Sequence, residues 1–239
     1  MHSDLQIESH GRIVTCIKQV TGREVMNTLV FESSDEQDAS PVAGRAVLVI
    51  CLGWFVAVLG AAISGGFNAP AGERPLAILM AVTMPVIMYL TAYYRIKSFR
   101  EWVLSLDMRQ LILLHSWRML GTGFVFLYFY DRLPALFALP AGLGDAVTAI
   151  GALFVGIALY ERASTVSRKR VYLWNTFGLI DFVLAVSMGV MTRTGEVLHF
   201  SGQVDSDIMG TFPLALIPGF AVPFYVITHL IIYAQLKRH

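Results

Sequence analysis

The stretch LFALPAGLGDAVTAIGALFVGIALY, residues 136–160, decides how this chain is read. It runs for 25 residues with a single charged side chain, Asp145. A bilayer core of about 30 Å needs ~20 apolar residues in one helix. Five further stretches reach that length: 46–67, 76–94, 108–130, 171–192 and 212–235. The segments between them are mostly short, so neighbouring spans run antiparallel. The expected fold is all-α, a compact bundle of six transmembrane helices over residues 45–239. Composition agrees. The 239 residues are 56% hydrophobic and 15% charged, with a mean hydropathy of +0.62. Soluble domains carry about 25% charged residues. That deficit excludes an ordinary soluble enzyme and a disordered chain, and makes the lipid bilayer the first partner.

Residues 1–44 are different. They hold three basic and seven acidic side chains, so this segment is −4 and the remainder +5. Two short β-branched runs, 13–20 and 25–31, flank Thr21-Gly22-Arg23-Glu24. The segment reads as an acidic cytoplasmic tail that is either a small hairpin or unordered, with residues 33–40 as a flexible linker. No cleavable signal peptide is expected, because the first apolar run begins near Ala46 behind this tail. Cys16 and Cys51 lie far apart without a CxxC spacing and read as free thiols. No basic stripe interleaved with aromatics appears, so nucleic acid is not an expected partner.

Charge sets the orientation. With the N-terminus inside, the inner segments hold fourteen Lys and Arg, and the outer loops hold three: Arg74, Arg132 and Arg193. The bias places both termini in the cytoplasm. Between the second and third spans, Phe99, Trp102, Val103 and Leu106 follow an i, i+3, i+4, i+7 pattern among charged residues. That is the pattern of a helix lying in the inner interface. Small residues repeat every fourth position at Gly53, Ala57, Ala61 and Gly65, and again at Gly144, Thr148, Ala152 and Gly156. Both stripes are expected to let helices of the bundle approach closely.

Three charges break the apolar spans. Arg118 lies ten residues from the inner end of its span, Asp181 ten from the inner end of its own, and Asp145 nine from the outer end of its own. At 1.5 Å per residue each is about 13–15 Å deep. A lone charge there costs roughly 2.5–3.5 kcal/mol on insertion scales, so the three are expected to face inward and meet. One Arg can fork between two carboxylates. The surplus Asp then either holds a proton or binds a cation. His115 and Arg118, with Thr122 at i+7, share one face of an α-helix. His229 sits at nearly the depth of His115, and Asn175 lies about one turn inside its span. The candidate solute- or ion-binding residues are therefore Arg118, Asp145, Asp181, Asn175, His115 and His229. Pro218 and Pro223 are expected to free the carbonyls of Leu214 and Gly219, and Pro85 interrupts the second span. Broken helices beside buried carboxylates are one way transporters build sites.

Signatures of soluble enzymes are missing: no HExxH, GxSxG, GxxxxGK or complete GxGxxG occurs. The chain leans away from an enzyme. Three functions remain open. One is transport or sensing of a small solute, proton or cation. Another is a haem- or cofactor-binding redox protein using His115 and His229. The third is a non-catalytic assembly protein whose charges only lock helices, with a homo-oligomer also open. No cofactor or metal is identified. GLGDAVTA (142–149) matches GLIDFVLA (178–185) at five of eight positions, but no inverted three-plus-three repeat is visible.

The stretch Trp117-Arg118-x-x-Gly121, then Leu139-Pro140-Ala141-Gly142-x-Gly144-Asp145, then Asn175-x-x-Gly178-x-x-Asp181, and Ile217-Pro218-x-x-x-x-Pro223 with His229, resembles a group of uncharacterised bacterial multi-pass membrane proteins. The resemblance covers about 120 residues, the third to sixth spans; the acidic tail and first two spans lie outside it. It implies a bacterial inner (plasma) membrane and no known activity.

The orientation yields a direct expectation. Reporter fusions after Arg170 and His239 should report the cytoplasm, and one after Glu196 the outside. A cytoplasmic signal at Glu196 would break the six-span reading.

Overall fold

The computed structural model describes residues 41–70, 72–161, 168–200 and 202–238. The acidic tail, its hairpin reading and Cys16 lie outside the described residues; Cys51 is a free thiol. The chain forms α1 (Pro41–Ile63), α2 (Leu76–Arg95), α3 (Lys97–Leu104), α4 (Met108–Leu114), α5 (Gly123–Phe129), α6 (Ala135–Glu161), α7 (Arg168–Met191) and α8 (Val222–Arg238). A 3₁₀ stretch, His115–Thr122, joins α4 to α5, and a π-helical turn, Ile217–Ala221, leads into α8. Among the described residues there is no strand, and six helical runs are long and apolar enough to cross a membrane. The third is α4, the 3₁₀ stretch and α5 in series, Met108–Phe129; the sixth is the π turn with α8. The chain is an integral membrane protein. Large apolar side chains such as Leu48, Val49, Leu120 and Phe154 stand on the outside of the bundle, as a lipid solvent allows.

Helix ends follow local chemistry. The first span ends at Ile63, short of the expected 67. Gly65 has φ +75, Gly66 N–H donates to the Ala61 carbonyl at 2.7 Å, and Gly65 N–H to that of Ala62 at 3.3 Å. This is a Schellman stop that glycine makes cheap. Ile96 is extended and breaks α2 from α3. α3 is thus a separate short helix rather than a continuation of its neighbours. Its Val103 is buried, and Phe99, Trp102 and Leu106 pack with Tyr89 and Ile231, while Lys97 and Glu101 form an exposed pair. Gln235 of α8 ties this segment down by donating to the Leu106 carbonyl at 2.7 Å. Asp107 then caps α4, its Oδ1 accepting from Arg109 N at 2.8 Å.

α6 packs chiefly against the 3₁₀ stretch and α7. Ala152, Ile112, Trp174 and Ile232 form one buried cluster among α6, α4, α7 and α8. The stripe Gly144, Thr148, Ala152 and Gly156 turns into this packing: a Cβ at Gly156 would meet Leu113, and Thr148 and Ala152 are buried. The stripe in α1 does not behave alike. Gly53 and Ala57 face outward, and a Cβ at Gly53 would meet open space. α1 docks through its other face, where Trp54 and Phe55 meet Phe220 and Val58 crowds Gly219. Bulky aromatic contacts, rather than close backbones, hold this helix.

The start of the sixth span is also corrected. Residues 212–215 are turns rather than transmembrane helix. Ile217 N–H donates to the Leu214 carbonyl at 3.0 Å, so that carbonyl is not freed by Pro218. The π turn instead bonds Val222 N–H to the Ile217 carbonyl. The segment after α7 folds back on the bundle: Thr194 O accepts from Gly72 N–H at 3.1 Å, and Thr192 O from Ser206 N–H at 3.3 Å.

Candidate functional site

The 3₁₀ geometry is what aims the third span inward. At three residues per turn, i and i+3 eclipse, so His115, Arg118 and Gly121 stack on one face. An α-helix would have brought Thr122 there instead. Thr122 spends its hydroxyl on the Met119 carbonyl at 2.7 Å and does not join the cluster.

Arg118 is the hub. Its side chain is 1% exposed. Nε donates to Asp145 Oδ1 at 2.7 Å. Nη2 donates to Asp181 Oδ2. Nη1 donates to the Gly178 carbonyl at 3.2 Å and lies 3.2 Å from His229 Nε2. The guanidinium also lies 3.8 Å from the centroid of the Phe182 ring, a cation–π contact. One side chain thereby joins α6, α7 and α8 to the third span.

This arrangement fixes the state of His229. A guanidinium only donates, so His229 Nε2 must accept and carry no proton. Its Nδ1 is then the protonated nitrogen and donates to Asn175 Oδ1 at 2.7 Å. Asn175 Nδ2 donates in turn to the His229 carbonyl at 3.1 Å. Asn175 therefore orients the histidine and does not touch the charges. His115 lies one layer away. Its ring lies against that of His229, with centroids 4.1 Å apart and planes tilted by 34°. Thr228 gives its hydroxyl hydrogen to the Tyr225 carbonyl at 2.8 Å, so His115 Nε2, 3.0 Å away, is the donor to Thr228.

The matched depth of the two histidines is real, but it produces a direct contact between tilted rings. A haem would need its macrocycle between the rings and a free nitrogen on each. His115 Nδ1 has no hydrogen-bond partner, but the two rings are in contact and both nitrogens of His229 are engaged, Nε2 by Arg118 and Nδ1 by Asn175. These residues do not fit a haem held between them. Among the described residues no group of three or more His, Cys, Asp or Glu side chains is placed to hold a metal ion.

Three glycines make the cluster possible, and sequence reasoning did not single them out for this. A Cβ at Gly121 would fall on the Asp145 carboxyl, and one at Gly144 on the Asp181 carboxyl. A Cβ at Gly178 would lie 2.7 Å from His229 Nε2 and 2.9 Å from Thr148 Cγ2. The visible signal was the spacing Gly144-Asp145 and Gly178-x-x-Asp181.

A cavity of about 220 Å³ reaches this cluster from one side. Arg118, Asp145, Gly121 and Tyr225 line its deep end, and Phe124, Phe137, Phe182 and Val186 its walls. Asp181, Asn175, His115 and His229 are not among its lining residues. Trp117 and Leu120 also line it, yet they are 65% and 75% exposed on the bundle surface, which puts the cavity in reach of the surrounding lipid. At its other end stands Arg193, one of the three outer-loop arginines counted from the sequence. It is 4% exposed and pairs with Asp207 at 3.1 Å.

The glycines give a sharp test. Gly121→Ala or Gly144→Ala must displace a carboxylate from Arg118, so each should destabilise the protein by at least about 1–3 kcal/mol, the usual cost of overpacking. Gly53→Ala, facing open space, should stay within roughly 0.5 kcal/mol of wild type. Thermal unfolding in lipid nanodiscs measures both; equal midpoints for all three would contradict the packing described.

No curated protein and no solved structure matches the chain. One family model does, described as Domain of unknown function (DUF8737), over residues 75–237. The match begins just before α2, one span earlier than the resemblance in the sequence suggested, and it includes Arg118, Asp145, Asn175, Asp181 and His229. With well over half of its length inside that match, the chain belongs to the family described as Domain of unknown function (DUF8737).

Proposed function

We propose that this protein binds a small, largely apolar solute inside the membrane, in transport or sensing, and links that binding to a proton at the Arg118–Asp145–Asp181 cluster. The observation that carries the reading is the asymmetry of the two carboxyls. Asp145 lines the cavity beside Arg118, whereas Asp181 does not. One Arg against two Asp leaves one negative charge unmatched. Such a charge is expensive in the bilayer core, and a proton on Asp145 removes the cost. Because Asp145 and not Asp181 lines the cavity, its proton is the one that a solute entering the cavity can meet. The count of basic residues supports a cavity open toward the outer half of the membrane, and the sequence resemblance supports a bacterial inner membrane.

A second reading has its own support. Arg118 makes four polar contacts to three helices, which a pure structural clamp also requires. The two readings differ in their response to pH. On the solute-site reading, the unfolding midpoint of wild type in nanodiscs changes between pH 5 and 8. Asp145→Asn flattens that profile, since an amide cannot exchange a proton. Each single Asn variant folds, because the remaining carboxylate still matches Arg118. The double Asn variant strands the guanidinium and should lose roughly 3–5 kcal/mol, as breaking a buried pair does. A wild-type midpoint indifferent to pH, with Asp145→Asn indistinguishable from it, would favour the clamp and defeat the proton linkage.

A further inference from the structure

Asp145 uses only half of its carboxyl on the protein. Oδ1 accepts from Arg118 Nε at 2.7 Å, while Oδ2 accepts no hydrogen bond among the described residues. Packing seals several unpartnered polar atoms of the bundle, Arg193 Nε and His115 Nδ1 among them, but not this oxygen. Oδ2 lies over Gly121, where a Cβ would fall on it, and Gly121 and Asp145 both line the cavity. The hydroxyl of Tyr225, at the same end, is likewise unpartnered and unsealed.

Charge selects what this oxygen can take. Arg118 against Asp145 and Asp181 leaves the deep end at −1 when both carboxyls are ionised, so an anion is repelled and a cation is matched. Arg118 cannot reverse this, because it is buried and its Nε, Nη1 and Nη2 are all engaged. Of the groups on α8, His229 accepts from Arg118 and is neutral, and Tyr225 adds only its hydroxyl. His115 lies behind His229 with Nε2 on Thr228. α2 and the π turn present Ile78, Val82, Ile217 and Pro218. An inorganic cation would need several oxygen ligands, and no such group exists among the described residues. An organic cation finds aromatic walls at Phe124 and Phe137, which suit an ammonium and its methylenes. The volume of about 220 Å³ exceeds the ~150 Å³ that holds a benzene, so one ring with a short substituent fits.

We propose that the solute of this cavity is a small lipophilic amine, held as its ammonium against Asp145 Oδ2, and that it takes the proton Asp145 otherwise carries. The proposal rests on the solute-site reading and names the chemical class of that solute. The amine arrives from the bilayer past Trp117 and Leu120 as the neutral base, since a lone charge is expensive there. Its nitrogen lone pair accepts the Asp145 proton: the carboxyl O–H bond breaks, an N–H bond forms, and a carboxylate–ammonium pair replaces the neutral acid. The cluster with its ligand is neutral before and after.

The test uses the full chain in phosphatidylcholine nanodiscs, which carry no net charge, with benzylamine, benzyl alcohol and benzoate as ligands and empty discs as the blank. Saturation-transfer NMR should show saturable binding, tightest for the amine and weakest for benzoate. Asp145→Asn should weaken the amine by at least about tenfold, the scale of one hydrogen bond to a charged group, and leave the alcohol nearly unchanged. That contrast also excludes amine held by the outer-groove acids Asp131, Asp205 and Asp207. Wild type alone gives a second readout. Benzylamine in water is an ammonium across pH 5–8, as alkylamines are, so wherever Asp145 is protonated its binding expels one proton. Amine affinity should therefore fall as pH is lowered from 8 to 5, approaching about tenfold per unit, while alcohol affinity should not fall. Alcohol or benzoate bound as tightly as the amine, an amine affinity that ignores pH or Asp145→Asn, or no saturable amine binding would each overturn the proposal. Saturable alcohol binding without a preference for the amine would do so and leave the solute site standing. Absence of binding by all three ligands, with a wild-type midpoint indifferent to pH, would remove both.

Discussion

A guanidinium at mid-membrane must find acceptors for its donors inside the protein, because lipid has none. Arg118 meets that demand with acceptors from α6, α7 and α8 at once, and most local irregularities of the bundle serve it. The third span is wound as 3₁₀ over His115–Thr122, although 3₁₀ runs longer than three or four residues are uncommon. The tighter winding lines up His115, Arg118 and Gly121. Gly121, Gly144 and Gly178 lack the Cβ that would occupy the positions of Asp145, Asp181 and His229. Asn175 holds His229 in the one tautomer that can accept from an arginine. Lysine could not replace this residue: three donors on a point charge cannot serve Asp145, Asp181, Gly178 and His229 in the plane that also stacks on Phe182.

Hydropathy made the six spans legible, because a bilayer demands long apolar runs whatever the tertiary structure. Cost made the Arg118–Asp145–Asp181 meeting legible: three buried charges have few alternatives to one another. The sequence could not reveal which face a small-residue stripe presents. Gly144–Gly156 and Gly53–Gly65 look alike as patterns, yet the first is packed and the second is largely turned outward, since aromatic side chains at Trp54, Phe55 and Phe220 settle the docking of α1. Helical winding was equally hidden. Nothing in His115–Thr122 forbids an α-helix, and only the demand for a common face of Arg118 and its neighbours favours 3₁₀. The burial of Arg193 was not legible, because a charge just past a span is usually solvated. Its burial depends on Asp207, fourteen residues later, and on a loop whose fold the hydropathy pattern does not encode.

The two buried arginines divide the cavity chemically. Arg118 closes the deep end with nearly every donor used and one carboxylate to spare. Arg193 stands at the other end, paired with Asp207. Between them the lining is apolar and aromatic. A cavity shaped only by helix packing would give no reason for polar residues at both of its ends, since each buried polar group carries a desolvation cost. The π turn at Ile217–Ala221 contributes from the side. It places Ile217, Pro218 and Ala221 in the cavity wall where a continuous α-helix would rotate different side chains into view, in keeping with the frequent occurrence of π segments at functional sites.

Sharing one arginine has a mechanical consequence for the two carboxyls. Asp145 and Asp181 sit on adjacent antiparallel helices, and each holds Arg118 by a different nitrogen. A proton arriving on Asp145 weakens its hold on Nε and leaves Asp181 as the sole counter-charge. The guanidinium then has less reason to lean toward α6 and more to lean toward α7. Any solute that changes the protonation of Asp145 therefore acts on the α6–α7 contact as well as on the cavity wall. His229 and Gly178 limit the swing, because Nη1 stays anchored to both whichever carboxylate is charged. An isolated Arg–Asp pair has no such choice of partner. On the proton linkage proposed above, the second carboxylate, which a structural clamp does not need, lets a local change in charge bear on how two transmembrane helices meet.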